Sequence, residues 1–469
     1  ARNSPQHRES RKAHMYEGVE TAEEREQAYD RFVWRNLKRN YAGHYVHGML
    51  GMTGFRLVNA PTFVPAYLHM LSGSDIAVGL GLALQQLGGT ISPILGAAHI
   101  EHRRRVLPVS MVLGTLMRVA ILGLAVSGWF LHGGTLLAAA MAFLFLLGLF
   151  SGPQSVAFQY LLGKMIPIRW RGRLQGWRNM TGGLIAAALS YFAGKYLVGP
   201  NVWGNGYGTT FLVAFVLTSL GLTAFRLLVR EPEPPSLRPR VQVRERLREL
   251  PKMLRDDHHF RWFMIARTFA IASRVAAPFY IVYASNTVAM TGNTIGTLSF
   301  AYLIADTVMN IVWGYMADKL GFRSCLIAAL VFWIAATVLL IGAGTMPLIF
   351  VAFFGLGAAN SGYQMSAQNI VFEFGSREDM AMRLAVSNTA ESIMAAAGPL
   401  LGGFIAASLG YRAVFVASIV FEAIALVLLL RFVEEPRKRR AALAGEELSA
   451  LTDTSTTSLA QREAEEGVL

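Results

Sequence analysis

The feature that most constrains this 469-residue chain is the regular recurrence of long apolar stretches. Each is about 20 residues long, the length that a helix needs to cross the hydrocarbon core of a bilayer. Charged residues make up only 16% of the chain, too few to cover the surface of a water-soluble protein of this size. This composition argues against a soluble enzyme and excludes a coiled coil or a disordered chain.

Twelve such stretches are predicted between residues 44 and 433. Lipid offers no hydrogen-bond partners to the backbone, so we expect every one of them to be an α-helix. The sequence therefore predicts an all-α membrane protein with twelve transmembrane helices. These predicted spans 1 to 12 cover residues 44–69, 76–99, 107–130, 136–162, 177–198, 208–230, 262–285, 294–316, 324–345, 348–372, 385–409 and 412–433.

The distribution of basic residues predicts the orientation. The chain has 43 Lys and Arg against 30 Asp and Glu, a net charge of +13 that suggests nucleic-acid binding when it is taken as a sum. However, 37 of those 43 residues fall in segments that twelve spans place on one face. Cytoplasmic loops of membrane proteins collect Lys and Arg. We therefore expect a bacterial-type inner-membrane protein with both termini cytoplasmic and no nucleic-acid partner.

A basic, proline-containing segment after span 6 divides the spans into two groups of six. Its prolines end the preceding helix, and its arginines alternate with leucines as in a helix on the inner membrane surface or a solvated linker. The predicted organisation is a cytoplasmic N-terminal segment with an amphipathic helix (1–43), a six-helix bundle (44–230), a linker (231–261), a second six-helix bundle (262–433) and a disordered cytoplasmic tail (434–469).

The two halves resemble each other in sequence. At an offset of 210, the segment 151–154 (SGPQ) aligns with 361–364 (SGYQ), and at an offset of 217 Gly79 aligns with Gly296. A six-helix unit repeated in the same orientation is one architecture of secondary transporters. The repeat therefore favours two equivalent bundles related by a pseudo-two-fold axis.

A short motif between spans 8 and 9 carries a family resemblance. Residues 314–323 (GYMADKLGFR) resemble the Gly-x-x-x-Asp-x-x-Gly-x-Arg signature of the major facilitator superfamily, and a degenerate first copy contains Glu101 between spans 2 and 3. The resemblance implies the fold of that superfamily and transport by alternating access. It also implies a cytoplasmic gate that contains Glu101, Asp318 and Arg323.

In that superfamily spans 1, 4, 7 and 10 line a central cavity, and two arginines are predicted there. Arg56 lies in span 1 and Arg274 in span 7, 218 residues apart and thus nearly equivalent in the two halves. An arginine fork suits carboxylate or phosphate groups, so the pair predicts a clamp for an organic anion. The alternative is that each arginine pairs with a carboxylate such as Asp306.

Further polar residues of the spans are candidates for binding and coupling. Gln154, Asn360 and Gln364 are predicted substrate contacts, with hydrogen bonds between helices as the alternative. Asp306 in span 8 and Glu391 in span 11 are candidates for proton coupling, because a buried carboxylate can exchange protons near neutral pH. Salt bridges within the protein are the alternative for both.

The sequence predicts no enzyme, no metal site and no cofactor. His44 and His47 stand three residues apart in span 1, but no further metal ligand is expected near them. The expected partners are a small-molecule substrate, the lipid bilayer and coupling protons, and the expected state is a monomer. Two functions other than organic-anion transport stay open: export of hydrophobic drugs or lipids, and a non-transporting membrane sensor on the same fold.

Overall fold

A computed structural model describes residues 22–100, 103–233, 255, 257–374 and 380–435. Helices occupy all twelve predicted spans, and within these residues there is no β-strand. Nine helical segments of this part of the chain are long and apolar enough to cross a membrane. The helices are α1 (Ala22–Asn59), α2 (Phe63–Ser72), α3 (Asp75–Ile100), α4 (Leu107–Phe130), α5 (Gly133–Met165), α6 (Ile168–Ala193), α7 (Gly206–Leu228), α8 (His258–Ala272), α9 (Tyr280–Ala284), α10 (Gly292–Leu320), α11 (Phe322–Gly342), α12 (Met346–Asn369), α13 (Met380–Leu409) and α14 (Tyr411–Phe432).

Spans 1 and 7 are broken at equivalent positions. Span 1 is interrupted between α1 and α2 around Pro61, and span 7 changes between α8 and α9 into a 3₁₀ segment, Ser273–Phe279, that contains Pro278. Pro61 and Pro278 are 217 residues apart, so the break follows the internal repeat. Proline lacks the N–H that a regular helix needs and clashes with the preceding turn. Arg56 and Arg274 both lie close to these breaks.

The helices form two bundles, α1–α7 and α8–α14. In the first, Asn40 of α1 donates a hydrogen bond of 3.0 Å to the carbonyl of Arg230, just after α7. In the second, Trp262 of α8 stacks on Phe432 at the end of α14, with ring centroids 4.4 Å apart. These contacts mark one side of the molecule, here called the terminal side, and the opposite ends of the helices form the distal side. The predicted linker at 234–254 and the tail beyond 435 lie outside the described residues.

The two bundles contact each other closely on the distal side. The end of α6 continues as a π-helical turn from Gly194 that packs backbone to backbone against Gly292 and Gly296 at the start of α10. At the other flank, the Tyr411 hydroxyl of α14 donates a hydrogen bond of 2.7 Å to the Asp75 carboxylate of α3. The bundles are therefore closed against each other on the distal side.

Glu231, just after α7, fixes the terminal end of the first bundle. Its carboxylate accepts hydrogen bonds from the backbone N–H groups of Val106 and Leu107 at the start of α4, at 2.8 and 2.9 Å. It also pairs with Lys164 of α5 at 2.8 Å, and both side chains are 4% exposed. One buried carboxylate thus satisfies a helix N-terminus and a buried cation.

We expect Glu231→Ala to destabilise the protein by about 3–5 kcal/mol, because it leaves the Lys164 cation buried without its partner. The matched control is Glu233→Ala, because Glu233 pairs at 2.6 Å with Arg105, whose side chain is 42% exposed. An exposed pair contributes roughly 0–1 kcal/mol. Thermal unfolding in detergent tests the difference, and equal unfolding midpoints for the two variants would contradict it.

Candidate functional site

An ion pair between the two bundles lies at the centre of the molecule. Arg56 near the end of α1 approaches Asp306 in the middle of α10, with Nη2 and Oδ2 3.1 Å apart and side chains 16% and 13% exposed. Arg56 Nη1 also donates a hydrogen bond of 2.7 Å to the Thr307 hydroxyl. Arg56 therefore has a carboxylate partner, which is the alternative that the sequence left open.

Asn360 joins this pair to the second predicted arginine. Its side-chain N–H donates to Asp306 Oδ1 at 2.8 Å, and its carbonyl oxygen accepts from Arg274 Nη2 at 2.8 Å. The amide thus has one partner on each side, which fixes its orientation. The Arg274 guanidinium lies over the ring of Tyr363, 5.8 Å from its centroid.

Glu391 of α13 ends the series of charges. It forms an ion pair with Arg267 of α8, and its other oxygen lies 4.0 Å from Arg274 Nη1. Arg267 is buried and donates a further hydrogen bond of 2.8 Å to the carbonyl of Ala367. The continuous series Arg56, Asp306, Asn360, Arg274, Glu391 and Arg267 is called the central network below.

The central network has three arginines and two carboxylates. Arg267 is only 1% exposed and is held by Glu391, whereas the Arg274 side chain is 25% exposed. The excess positive charge is therefore accessible at Arg274. A guanidinium with open N–H groups can bind a carboxylate, sulfonate or phosphate oxygen.

The two predicted glutamines lie in different surroundings. Gln154 of α5 is buried inside the first bundle, where its amide N–H donates to the Ser110 hydroxyl of α4 at 3.1 Å. It therefore has the helix-to-helix bond that the sequence offered as the alternative, and it is not part of the central network. Gln364 is half-buried on α12, one turn after Asn360.

A cavity of about 440 Å³ opens between α6 and α10. Gly183 and Thr307 are in close contact at the distal end of this cavity, and its other lining residues lie nearer the terminal side. Because Thr307 both lines this cavity and binds Arg56, the cavity reaches the central network. Its lining consists of Arg173, Gly176, Trp177, Asn179, Met180, Thr307, Asn310 and Ile311.

Two of the predicted gate residues, Asp318 and Arg323, lie on the terminal side. Asp318 is exposed near the end of α10 and forms no ion pair with any described residue. Gly321 has a φ of +87°, a conformation that glycine permits and that turns the chain from α10 into α11. Arg323 donates to the carbonyl of Leu429 in α14 at 3.0 Å, a contact within the second bundle. Glu101 lies outside the described residues.

The two histidines of span 1 pack inside the first bundle. His44 is fully buried, and its ring centroid lies 4.8 Å from that of Phe225 and 5.2 Å from that of Phe158. His47 contacts the same two aromatic rings. Among the described residues there is no group of three or more possible metal ligands around them.

Two six-helix bundles that meet around a charged, partly exposed network are an architecture of membrane transporters. The sequence profile of the Major Facilitator Superfamily matches residues 48–280 and again 263–463. The chain belongs to this superfamily. The second match starts within span 7, in agreement with the internal repeat.

Individual relatives agree with this assignment. The chain is 27% identical over 401 residues to the multidrug resistance protein MdtG of Citrobacter koseri, a match that covers 81% of this chain and 91% of that protein. In structure it resembles a point mutant of the nucleoside transporter NupG (TM-score 0.66, 11% identity, 84% of this chain and 100% of that chain). It also resembles a D-xylose-proton symporter (TM-score 0.65, 12% identity, 86% of this chain and 99% of that chain).

These findings confirm the predicted fold and the predicted class. The chain is an integral membrane transporter of small molecules, and it is not an enzyme.

Proposed function

We propose that this protein transports a small organic anion across the inner membrane by alternating access, in company with a proton. The observation that carries this proposal is the charge of the central network, in which three arginines face two carboxylates and Arg274 remains 25% exposed. A solute anion at Arg274 would balance the excess charge. Asn360, which already orients Arg274, would contact the same solute, and Gln364 lies within reach one turn away.

Arg56 and Asp306 supply a mechanism for the coupling. An anion that reaches Arg56 competes with Asp306 for the guanidinium, and a carboxylate that loses its cation binds a proton more readily. Conversely, a proton on Asp306 releases Arg56 to the anion. Because such coupling is reciprocal, each ligand increases the affinity for the other. This arrangement supports transport of anion and proton in the same direction, with Glu391 as a second candidate carrier of the proton.

The distal contacts support alternating access. With both termini placed in the cytoplasm on the evidence of the basic residues, the closed distal side faces outward. The cavity between α6 and α10 then lies in the cytoplasmic half of the molecule, which supports an inward-facing conformation. In it Asp318 is exposed, and we propose that Glu101, Asp318 and Arg323 close the cytoplasmic gate in the opposite conformation.

Export of hydrophobic drugs is a second candidate. The relative from Citrobacter koseri is a multidrug resistance protein by name, and Trp177, Met180 and Ile311 give the cavity an apolar wall. The two candidate functions differ in whether the proton moves with the solute or in the opposite direction. A cationic drug would compete with the proton for Asp306 and move opposite to it, whereas an anion would move with it.

Uptake into liposomes tests the proposal. The probes are benzenesulfonate and benzyltrimethylammonium, an anion and a cation that carry their charges at all working pH values. We expect saturable, proton-driven uptake of benzenesulfonate that exceeds uptake of the cation. Arg274→Gln should weaken the uptake of benzenesulfonate about 10- to 100-fold, because a charge-assisted hydrogen bond contributes about 1.5–3 kcal/mol.

The Arg274→Gln protein should remain folded, because Glu391 retains its ion pair with Arg267. The matched control is Arg105→Gln, which removes an exposed arginine far from the central network. If Arg274→Gln transports benzenesulfonate as the control does, the anion site at Arg274 is refuted. If the cation alone is transported, in exchange for protons, the drug-export candidate replaces the anion.

A further inference from the structure

A second cationic surface lies in the first bundle, outside the central network. Arg178 of α6 crosses α1 at Gly48, where a Cβ would lie 1.5 Å from Arg178 Cδ, so the glycine makes room for the arginine. The Arg178 guanidinium then lies over the ring of Phe158 in α5, with Cζ 5.3 Å from the ring centroid. Three helices thus meet at this arginine.

His47 shares the same aromatic ring. Its imidazole stacks on Phe158 with centroids 5.1 Å apart and an interplanar angle of 27°. Phe158 therefore holds Arg178 and His47 next to each other, and the three residues are called the Phe158 platform below. An arginine that is stacked on a ring loses less conformational freedom when it binds a ligand.

The platform carries positive charge without a counter-ion. Among the described residues no carboxylate forms an ion pair with Arg178, and its buried Nε donates no hydrogen bond to them. Arg118 of α4 is close enough to His47 to interact with it electrostatically. Arg118 donates its own N–H groups to the carbonyls of Thr218 and Gly114. It therefore adds positive charge near the platform and accepts no hydrogen bond from Arg178. A partly buried cation in such a field attracts anions.

The platform lies on the terminal side of the central network. His47 precedes Arg56 by nine residues on the same helix, which is about 13 Å at 1.5 Å per residue. One turn beyond His47, a Cβ built on Gly51 would have no neighbouring atom within 4 Å, so α1 leaves space there. Arg178 therefore lies nearer the terminal side than Arg56 does.

We propose that the Phe158 platform is a binding subsite for the anionic group of the transported solute, on the terminal side of the central network. This inference rests on the proposed function and adds to it a second anion-binding position in the first bundle. Arg178 donates to the sulfonate, carboxylate or phosphate oxygens, and His47 lines the same position.

Kinetics of the Arg178→Gln variant test the subsite in liposomes with benzenesulfonate. We expect KM to rise about 10- to 100-fold while the maximal rate changes little, because the Phe158 platform loses one charge-assisted contact with the anion. Phe158→Leu keeps the apolar volume but removes the stacking surface, and we expect a smaller rise in KM. The matched control is Arg105→Gln, which removes an equal charge from an exposed arginine outside the platform and the central network.

The outcomes separate the subsite from the proposed function. If Arg178→Gln and Arg105→Gln give the same KM while Arg274→Gln still weakens uptake, the subsite is overturned and the proposed function stands. If the wild-type protein does not take up benzenesulfonate, both are overturned. A purely structural Arg178 would instead lower the thermal unfolding midpoint of Arg178→Gln and leave KM unchanged, which also overturns the subsite.

Discussion

Asp306→Asn should abolish accumulation of benzenesulfonate driven by a pH gradient, while exchange of the anion across the membrane continues. Asparagine cannot carry the proton, and it no longer competes with the anion for Arg56, which keeps only its hydrogen bond to Thr307. For one proton per singly charged anion, the wild-type protein can accumulate the anion about tenfold per pH unit, since one unit corresponds to about 1.36 kcal/mol. We expect net uptake by Asp306→Asn to end when the concentration of the anion is equal inside and outside the liposome.

The matched control for this variant is Glu422→Gln. Glu422 is a fully buried carboxylate of α14 that lies 3.4 Å from the Ser418 hydroxyl and outside the central network. Its substitution should leave proton-driven accumulation intact. If Asp306→Asn accumulates the anion as the control does, Asp306 is not the coupling group, and Glu391→Gln becomes the next variant to measure.

Gly194→Val should abolish transport by preventing closure of the distal side. A Cβ at Gly194 would lie 2.3 Å from the carbonyl oxygen of Gly292 and 2.4 Å from Cα of Gly296, both across the bundle interface. These are backbone atoms that cannot move aside, so α6 and α10 must separate. The helix packing within each bundle is not involved, and we therefore expect the variant to fold and to stay in the conformation that is open on the distal side.

Distances between spin labels on the distal side can measure this effect. His132 and Thr345 are exposed there, one in each bundle, and suit labelling. We expect a longer label-to-label distance in Gly194→Val than in the parent. Gly134→Val is the matched control, because a Cβ at Gly134 has no neighbouring atom within 4 Å. An unchanged distance in Gly194→Val, with transport retained, would contradict the closed distal interface.

The helices could be predicted from sequence because their cause is local. A run of about 20 apolar residues has no stable state in lipid other than a helix, whatever its neighbours are. The breaks in spans 1 and 7 were missed, although Pro61 and Pro278 are visible at an offset of 217. Gly79 and Gly296 show the same offset, so the internal repeat contains the signal that predicts equivalent breaks at the two prolines.

The site could be predicted only in part, because pairing depends on which helices face each other. Residue type and depth indicated Arg56, Arg274, Asp306, Asn360 and Glu391, and the structure brings all five into one network. The position of Gln154 in span 4 does not indicate that its side chain points toward Ser110 of the same bundle. Nor does it reveal Arg178, since a basic residue just inside span 5 resembles the loop arginines that precede it.

We propose that Asp306 and Arg56 couple an anion to a proton that moves in the same direction. A pH-sensitive dye trapped inside proteoliposomes tests it most directly, because neither probe carries a proton of its own. We expect external benzenesulfonate to acidify the interior, and we expect no such change with Asp306→Asn. An interior that becomes alkaline on addition of benzyltrimethylammonium, with no response to benzenesulfonate, would contradict the account.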